Sequence, residues 1–452
     1  MDDQDNEVRP VFMSEAVTAE DVRASMKMVR AYVRPYQELL GRREQGEHFE
    51  TMVAGMTSGL ERKSVEPIAV MHGVPRQSLQ RFVGEDGWGH EPLVERLRAE
   101  VAAEIGGNEG SVIVDGSSTP KKGEATVGIA RQWCGRLGKV DNCVVGVYAT
   151  YVGKDDLAAL VGAELYLPKE WSEDEERREK AYIPKDVDYQ SQQQIAGGLI
   201  HELAGKLPFE WVLGDDEFGR ARHFRDSVAE LGKAYVLDVP ENTVVRRVGR
   251  RGPMTKKKWT VKELVRHCPV SEWAYFKVRD AKKGPKEVRA LRVNVATSRK
   301  GNQWVQEQLL VVETLDGSER WYCLARPTRE VELAEMVRQA GLRHRIEEVF
   351  EEAKGEVGLD HFEVRAWHGW YHHMTLAQIS HWFLVREKRR LGKKSTRHHR
   401  QPDPDGDRLA SSTTPDAALR GQAHQLSPNA ELPVAVCSIS KPRAATPTTF
   451  VR

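Results

Sequence analysis

Two short apolar runs, each closed by an aspartate, constrain this chain most. Ser-Val-Ile-Val-Asp fills 111–115 and Trp-Val-Leu-Gly-Asp fills 211–215. Runs this short, apolar at consecutive positions, read as strands buried on both faces. Residues 222–231 follow with helical alternation, and 234–239 form another apolar run. Strand therefore gives way to helix and to strand again, which predicts a mixed sheet covered by helices, an α/β fold. In such sheets chemistry gathers at the carboxyl ends of strands. The reading places Asp115 and Asp215 there. A third acid, Glu347, stands in a segment of helical period, four residues after Arg343 and seven before Lys354.

Two carboxylates at strand ends and a third on a later helix can form a metal-binding triad. Carboxylates are hard oxygen ligands suited to Mg²⁺ or Mn²⁺. In-line phosphoryl transfer needs stabilised charge on the attacking and leaving oxygens, which two ions roughly 3.5–4 Å apart supply. Asp216 and Glu348 adjoin two of these acids. Neighbouring side chains on a regular element point in different directions, so only one of each pair can be a ligand.

At 452 residues the chain has room for two or three domains. Lys and Arg number 68 against 67 Asp and Glu, a net charge of +1, so the balance alone announces no polyanionic partner. Distribution says more. The stretch 386–400 is strongly basic, and so is 246–258, with Arg246, Arg247, Arg250, Arg251, Lys256, Lys257 and Lys258. Such runs either track a phosphate backbone or stay solvated. Five scattered cysteines lack zinc-ligand spacing and are expected as free thiols in a reducing cytoplasm. The acidic N-terminus has no apolar core of a signal peptide, and no run approaches the roughly 20 apolar residues of a membrane span. The expected location is cytoplasmic, with no membrane partner.

Organisation follows from pattern changes. Residues 1–20 read as a disordered acidic arm and 21–106 as a helical region. Within it, Ser64 can cap a helix through His72, Gly73 can turn the chain, and Pro75 can open a second helix through Phe82. This helix-turn-helix would carry Arg76, Gln77 and Arg81 where base and phosphate contacts are made. An ordinary helical hairpin fits the same residues. Residues 107–240 form the first part of the α/β core. A β-rich insertion spans 241–326, with strands expected at 273–278, 287–295, 305–313 and 321–325. The core resumes over 327–392, helical at 329–357 and 370–388. Residues 393–452, rich in Pro, Ser, Thr, Arg and His, read as a disordered tail.

Weaker signals remain. His368 and His372 could face a metal from one helix, but no third ligand is evident. Lys121-Lys122-Gly123 lacks the glycine spacing of a phosphate loop. Trp273, Trp304 and Trp321 either stack on a base or, more simply, fill a β core.

Three spaced blocks resemble bacterial insertion-sequence transposases of the DDE superfamily. The first is Val-Ile-Val-Asp-Gly-Ser-Ser-Thr-Pro-Lys-Lys-Gly (112–123), followed by Val-Gly-Ile-Ala-Arg-Gln-Trp-Cys-Gly-Arg-Leu-Gly-Lys-Val-Asp-Asn-Cys (127–143). The second is Val-Leu-Gly-Asp-Asp-Glu-Phe-Gly (212–219). The third, from Arg343 to Asp360, is similar to the Y-R-E-K signature. The resemblance implies a ribonuclease-H-like sheet interrupted by the insertion. It also implies two Mg²⁺ ions held by Asp115, Asp215 and Glu347, with Arg343 and Lys354 on phosphates near the cut. Cleavage of transposon-end DNA and strand transfer into target double-stranded DNA are the implied reactions, carried out by a nucleoid-associated homodimer. Lys121, Lys122 and the basic residues of 246–258 would add DNA contacts. Two departures stand out. Ala340 occupies the position of the signature's tyrosine, and Gly116 follows the first aspartate where the family often has an acid. Two alternatives stay open, a retired transposase that only binds DNA and a metal-dependent nuclease that hydrolyses without joining.

Overall fold

The computed structural model describes residues 19–249, 255–280, 284–298, 303–398 and 431–432. In chain order the helices are α1 (Ala19–Gln37), α2 (Arg43–Met56), α3 (Val65–His72), α4 (Arg76–Gly84), α5 (Glu91–Ile105), α6 (Lys169–Ser172), α7 (Glu175–Lys180), α8 (Gln192–Ala204), α9 (Asp216–Arg220), α10 (Arg222–Glu230), α11 (Val261–Arg266), α12 (Leu333–Leu342), α13 (Arg345–Val357) and α14 (Trp367–His398). The strands are β1 (Ser111–Pro120), β2 (Ala130–Cys134), β3 (Lys139–Val152), β4 (Ala158–Leu165), β5 (Trp211–Gly214), β6 (Ala234–Val239), β7 (Val244–Arg247), β8 (Trp259–Thr260), β9 (Ala274–Asp280), β10 (Gly284–Ser298), β11 (Trp304–Thr314), β12 (Arg320–Arg326) and β13 (Glu431–Leu432). The chain divides into two compact units. Met1–Glu210, Asp226–Leu231 and Val349–Asn429 belong to the first, and Trp211–Arg225, Gly232–Glu348 and Ala430–Arg452 to the second.

In the first unit, β3 pairs antiparallel with β1 (Ser111↔Val152 to Pro120↔Cys143) along one edge. Its other edge takes β2 and β4 in turn. Every residue from Cys143 to Val152 is buried, as the consecutive apolar pattern requires of a strand covered on both faces. Helix α8 lies on β1, β3 and β4, while α14 packs on β4 and on α2, α4 and α5. A reciprocal capping box, Ser191 with Gln194, starts α8, an arrangement that contributes about 1 kcal/mol. Helix α14 is buried on all sides from Trp370 to Leu384, polar residues included. Its length then reflects a central core helix. No helix among the described residues is long and apolar enough to cross a membrane.

The N-terminal helices match the predicted pattern closely. Gly73 adopts φ +63° between α3 and α4, a left-handed conformation that favours glycine. Pro75 precedes the first residue of α4. Ser64 does occupy the cap position of α3, but its side chain makes no cap bond. Its hydroxyl accepts instead from Arg62 Nε at 3.3 Å.

In the second unit, β5 and β6 are parallel (Trp211↔Ala234 to Gly214↔Leu237). The strands read from sequence as an insertion do not form a body of their own. Strand β12 pairs antiparallel with β6 (Tyr322↔Val239 to Arg326↔Tyr235), and β11, β10 and β9 continue outward in the same sense. The result is one mixed sheet. Its apolar layer includes Val239, Val245, Val261, Leu264, Leu291, Val293, Val295, Leu309, Val311 and Leu324. Core residues of β6 and of the added strands thus share one cluster, which a composition-based boundary at 240 could not reveal.

Three further differences from the sequence reading concern element bounds. The helix expected over 329–357 is two helices, broken at Arg343 and His344. Strand β1 does not stop at Asp115 but runs on to Pro120, held by the long β3 beside it. Helix α14 continues to His398, past the boundary drawn at 392, because 386–398 is rich in strong helix formers. Most of the expected arm and tail, and Arg250 and Arg251, lie outside the described residues.

Candidate active site

Asp115 sits within β1, opposite Tyr148 of β3, and not at a strand end. It is half-buried, and its Oδ1 accepts the Gly116 amide at 2.7 Å. Gly116 is glycine for a steric reason, since a Cβ there would stand 2.8 Å from Gln192 Oε1. A side chain at this position would require the Gln192 amide to turn aside. Two residues on, Ser117 accepts from Lys354 Nζ at 2.8 Å. Burial lowers the Lys354 pKa, against the raising charge of Asp360, and Asp115 also favours its ammonium form. The first unit therefore brings Asp115 and Lys354 into one electrostatic neighbourhood.

Asp215 follows β5 directly and caps α9, accepting the Glu217 amide at 3.0 Å. Burial raises its pKa even though the Arg343 guanidinium pulls it down. A carboxylate in that state has a deficit of cationic partners. Asp216 points elsewhere and pairs with Arg220 one turn on. The same separation holds on α13, where Glu348 pairs with Arg345 while Glu347 accepts from Arg343 at 3.1 Å. His344, 3.3 Å from Glu347, is the leading cause of a lowered Glu347 pKa. The neighbours Asp216 and Glu348 are thus committed to local ion pairs, leaving Asp215 and Glu347 to share Arg343.

Arg343 is largely buried, with 15% of its side chain exposed. Its Nε lies 2.9 Å from Asp238 Oδ2. Asp238, on β6, was not legible as a site residue because it is the lone acid in an apolar strand. Burial raises its pKa, and Cys323 Sγ donates to its other oxygen at 3.2 Å. The second unit thus gathers Asp215, Asp238, Arg343, His344 and Glu347. Ala340 is buried in α12, where a tyrosine ring would have to displace core.

Gly219 ties this cluster to the sheet. A Cβ there would lie 1.8 Å from the Asp238 carbonyl oxygen, so α9 rests directly on β6. Gly219→Ala is expected to destabilise by about 2–3 kcal/mol, as overpacking against backbone does. It should also lower cleavage, because Asp215 caps the same short helix. Urea midpoints and single-turnover cleavage check both, and an unchanged midpoint would show that α9 can lift freely.

The remaining predicted residues are dispersed. Arg76, Gln77 and Arg81 are exposed along α4, while Leu79, Phe82 and Val83 are buried beneath them. Lys122 is exposed. Lys121 turns inward, its ammonium 3.5 Å from the Phe362 ring centre and bonded to the Phe362 carbonyl, and burial pushes its pKa down to about 8. Arg246 lies over Trp304 at 4.0 Å, and Arg247 approaches Glu272 at 3.8 Å. Lys256, Lys257 and Lys258 are exposed, Lys257 over Trp259. His368 and His372 bind backbone carbonyls of Gly84, Val83 and Trp88, so they fasten α14 to the N-terminal helices and do not face a metal.

Among the described residues, no three His, Cys, Asp or Glu side chains form a ready ligand cluster. The donors nonetheless fit a hard divalent cation by chemistry. All three predicted ligands are carboxylates, and half-buried Asp215 gains from added positive charge.

Comparison with known proteins identifies the family. A probable transposase for insertion sequence element IS701, from Microchaete diplosiphon, is 25% identical over 346 residues, covering 75% of this chain and 82% of that protein. The family described as DDE superfamily endonuclease matches residues 35–265, a span that holds Asp115 and Asp215 and slightly more than half the chain. The chain belongs to the DDE superfamily of endonucleases.

Proposed function

We propose that this protein is a DNA transposase that binds the ends of its insertion element, cuts them and joins them to target DNA on a ribonuclease-H-like core. One observation carries the reading. Asp215 and Glu347 both lie in the field of Arg343, while their acidic neighbours Asp216 and Glu348 pair with Arg220 and Arg345. Asp115, Asp215 and Glu347 would hold two Mg²⁺ ions, or Mn²⁺ in their place. Such ions supply a lowered pKa for the attacking hydroxyl and charge stabilisation on the leaving oxygen.

The chain's own groups then have separate tasks. Lys354, with its ammonium fixed on Ser117, offers a charge for a phosphate beside Asp115. Arg343 offsets the mutual repulsion of Asp215, Asp238 and Glu347 until a cation does so. The exposed face of α4, with Arg76, Gln77 and Arg81, would serve as the recognition helix, and Lys122, Arg246, Arg247 and Lys256–Lys258 would each add a phosphate contact. Lys121 is too enclosed to contribute directly. Two ends must be joined together, so the working form is a homodimer.

The test is cleavage of labelled duplex carrying the element's ends, with Mg²⁺, with Mn²⁺ and with chelator. Nicking at the element boundary in either metal, abolished by chelator, is the expected result. Joining of precut ends to a target duplex separates a transposase from a simple nuclease. Specific binding without cleavage in any metal would instead identify a protein that has kept the fold and lost the chemistry.

A further inference from the structure

The turn between β2 and β3 exposes apolar surface that the proposed chemistry does not use. Trp133 is 64% exposed, its cross-strand partner Val140 53%, and Leu137 at the tip 44%. Trp171, Trp211, Trp370 and Trp382, by contrast, are fully buried. A single exposed leucine needs no explanation, but an indole, a valine and a leucine side by side on one hairpin do.

The hairpin is held firmly. Its inner face buries Cys134 and Cys143 with Val145, against Tyr166. The turn closes through the Gly138 amide on the Cys134 carbonyl at 2.9 Å, with Gly138 at φ +62°. Arg136 at the tip pairs with Asp360, whose side chain is only 6% exposed. The outer face is cationic as well as apolar. Arg131 shares it with Trp133 by strand alternation and is exposed, whereas Lys139, opposite Cys134, alternates to the other face and pairs with Asp141 at 2.9 Å. Position matters too. A Cβ on Gly135 would stand 3.9 Å from Ser118 Oγ, on the strand that carries Asp115. Arg136 and Cys134 both act electrostatically on Lys354.

We propose that this hairpin is a DNA wedge, in which Trp133 stacks on an unpaired or unstacked base at the DNA end while Arg131 takes a flanking phosphate. The proposal rests on the transposase reading. A rigid apolar tip with an arginine on the same face, packed on the strand that carries a predicted metal ligand, has the chemistry of side chains that part base steps. A purely apolar partner would have no use for the arginine.

Full-length protein is titrated with end duplex carrying 2-aminopurine at each position near the cleavage site. Wild type is expected to bind and to raise emission at one or two positions. Trp133→Ala should bind about tenfold more weakly, give no rise in emission and leave the salt dependence of binding unchanged, because stacking and not charge is lost. Val140→Ser, on the other strand, should weaken binding in the same way, and Trp133→Tyr should restore emission. Arg131→Ala should instead reduce the slope of log K against log salt by about one. If wild type cuts the ends while Trp133→Ala binds, unstacks and cuts equally well, the wedge is wrong and the transposase reading stands. If wild type neither binds nor cuts, that reading fails first. A change in sedimentation of DNA-free Trp133→Ala, with normal DNA behaviour, would make this face a subunit contact and overturn the proposal.

Discussion

Asp215→Asn is expected to lower single-turnover cleavage of end DNA by about a thousandfold or more while leaving the fold and DNA binding nearly intact. Losing one hard ligand from a two-cation site forfeits several kcal/mol of transition-state stabilisation, and each 1.36 kcal/mol is a factor of ten. The substitution is clean for a structural reason. Asp215 Oδ1 caps α9 by accepting the Glu217 amide, and asparagine caps a helix as well as aspartate does. Unfolding midpoints should therefore move little. Asp216→Asn is the matched control. It removes an exposed pair with Arg220 that contributes at most about 1 kcal/mol, and cleavage should stay within a few-fold of wild type. Loss of cleavage in Asp216→Asn with full activity in Asp215→Asn would transfer the ligand role to the neighbour.

That contrast also marks where sequence alone was sufficient. Strands β5 and β6, the turn at Gly73 and the start of α4 after Pro75 were legible, because each is written in local chemistry: consecutive apolar residues, a left-handed glycine, a fixed φ. Asp115 was legible as a residue but not as a position. Its strand continues through Gly-Ser-Ser-Thr-Pro, of which only the threonine favours strands, because β3 supplies hydrogen-bonding partners as far as Cys143. Tertiary pairing overrode local propensity there. Asp238 and His344 were also missed. Asp238 joins the cluster only because β6 lies beside the break between α12 and α13, which no spacing in the sequence encodes, whereas His344 stands three residues before Glu347, a spacing that does encode their contact. Strand β4 and the short α6 and α7 also went unread. Of these, β4 is so uniformly buried that no period distinguishes it.

Arg225→Met is expected to be the most destabilising single change in the second unit, by about 3–5 kcal/mol. Arg225, on α10, lies 3.0 Å from Glu307 of β11, with side-chain exposures of 7% and 1%. The Tyr235 hydroxyl donates to the same carboxylate at 2.6 Å, and the Thr297 hydroxyl donates to its other oxygen. Removing the guanidinium would leave Glu307 as a buried charge with only hydroxyl partners, which explains why breaking such a pair costs more than forming it gains. A double-mutant cycle decides the matter. Arg225→Met with Glu307→Leu should recover most of the loss, since no charge then stays behind. An Arg225→Met variant within about 1 kcal/mol of wild type in urea unfolding would show that water reaches Glu307. Activity should fall as well, and not through stability alone. The Arg225 guanidinium also donates to the Gly219 carbonyl, in the short helix capped by Asp215. The buried pair therefore anchors the support of a proposed ligand. In the double variant, restored stability with cleavage still reduced would separate that anchoring from the general contribution to folding.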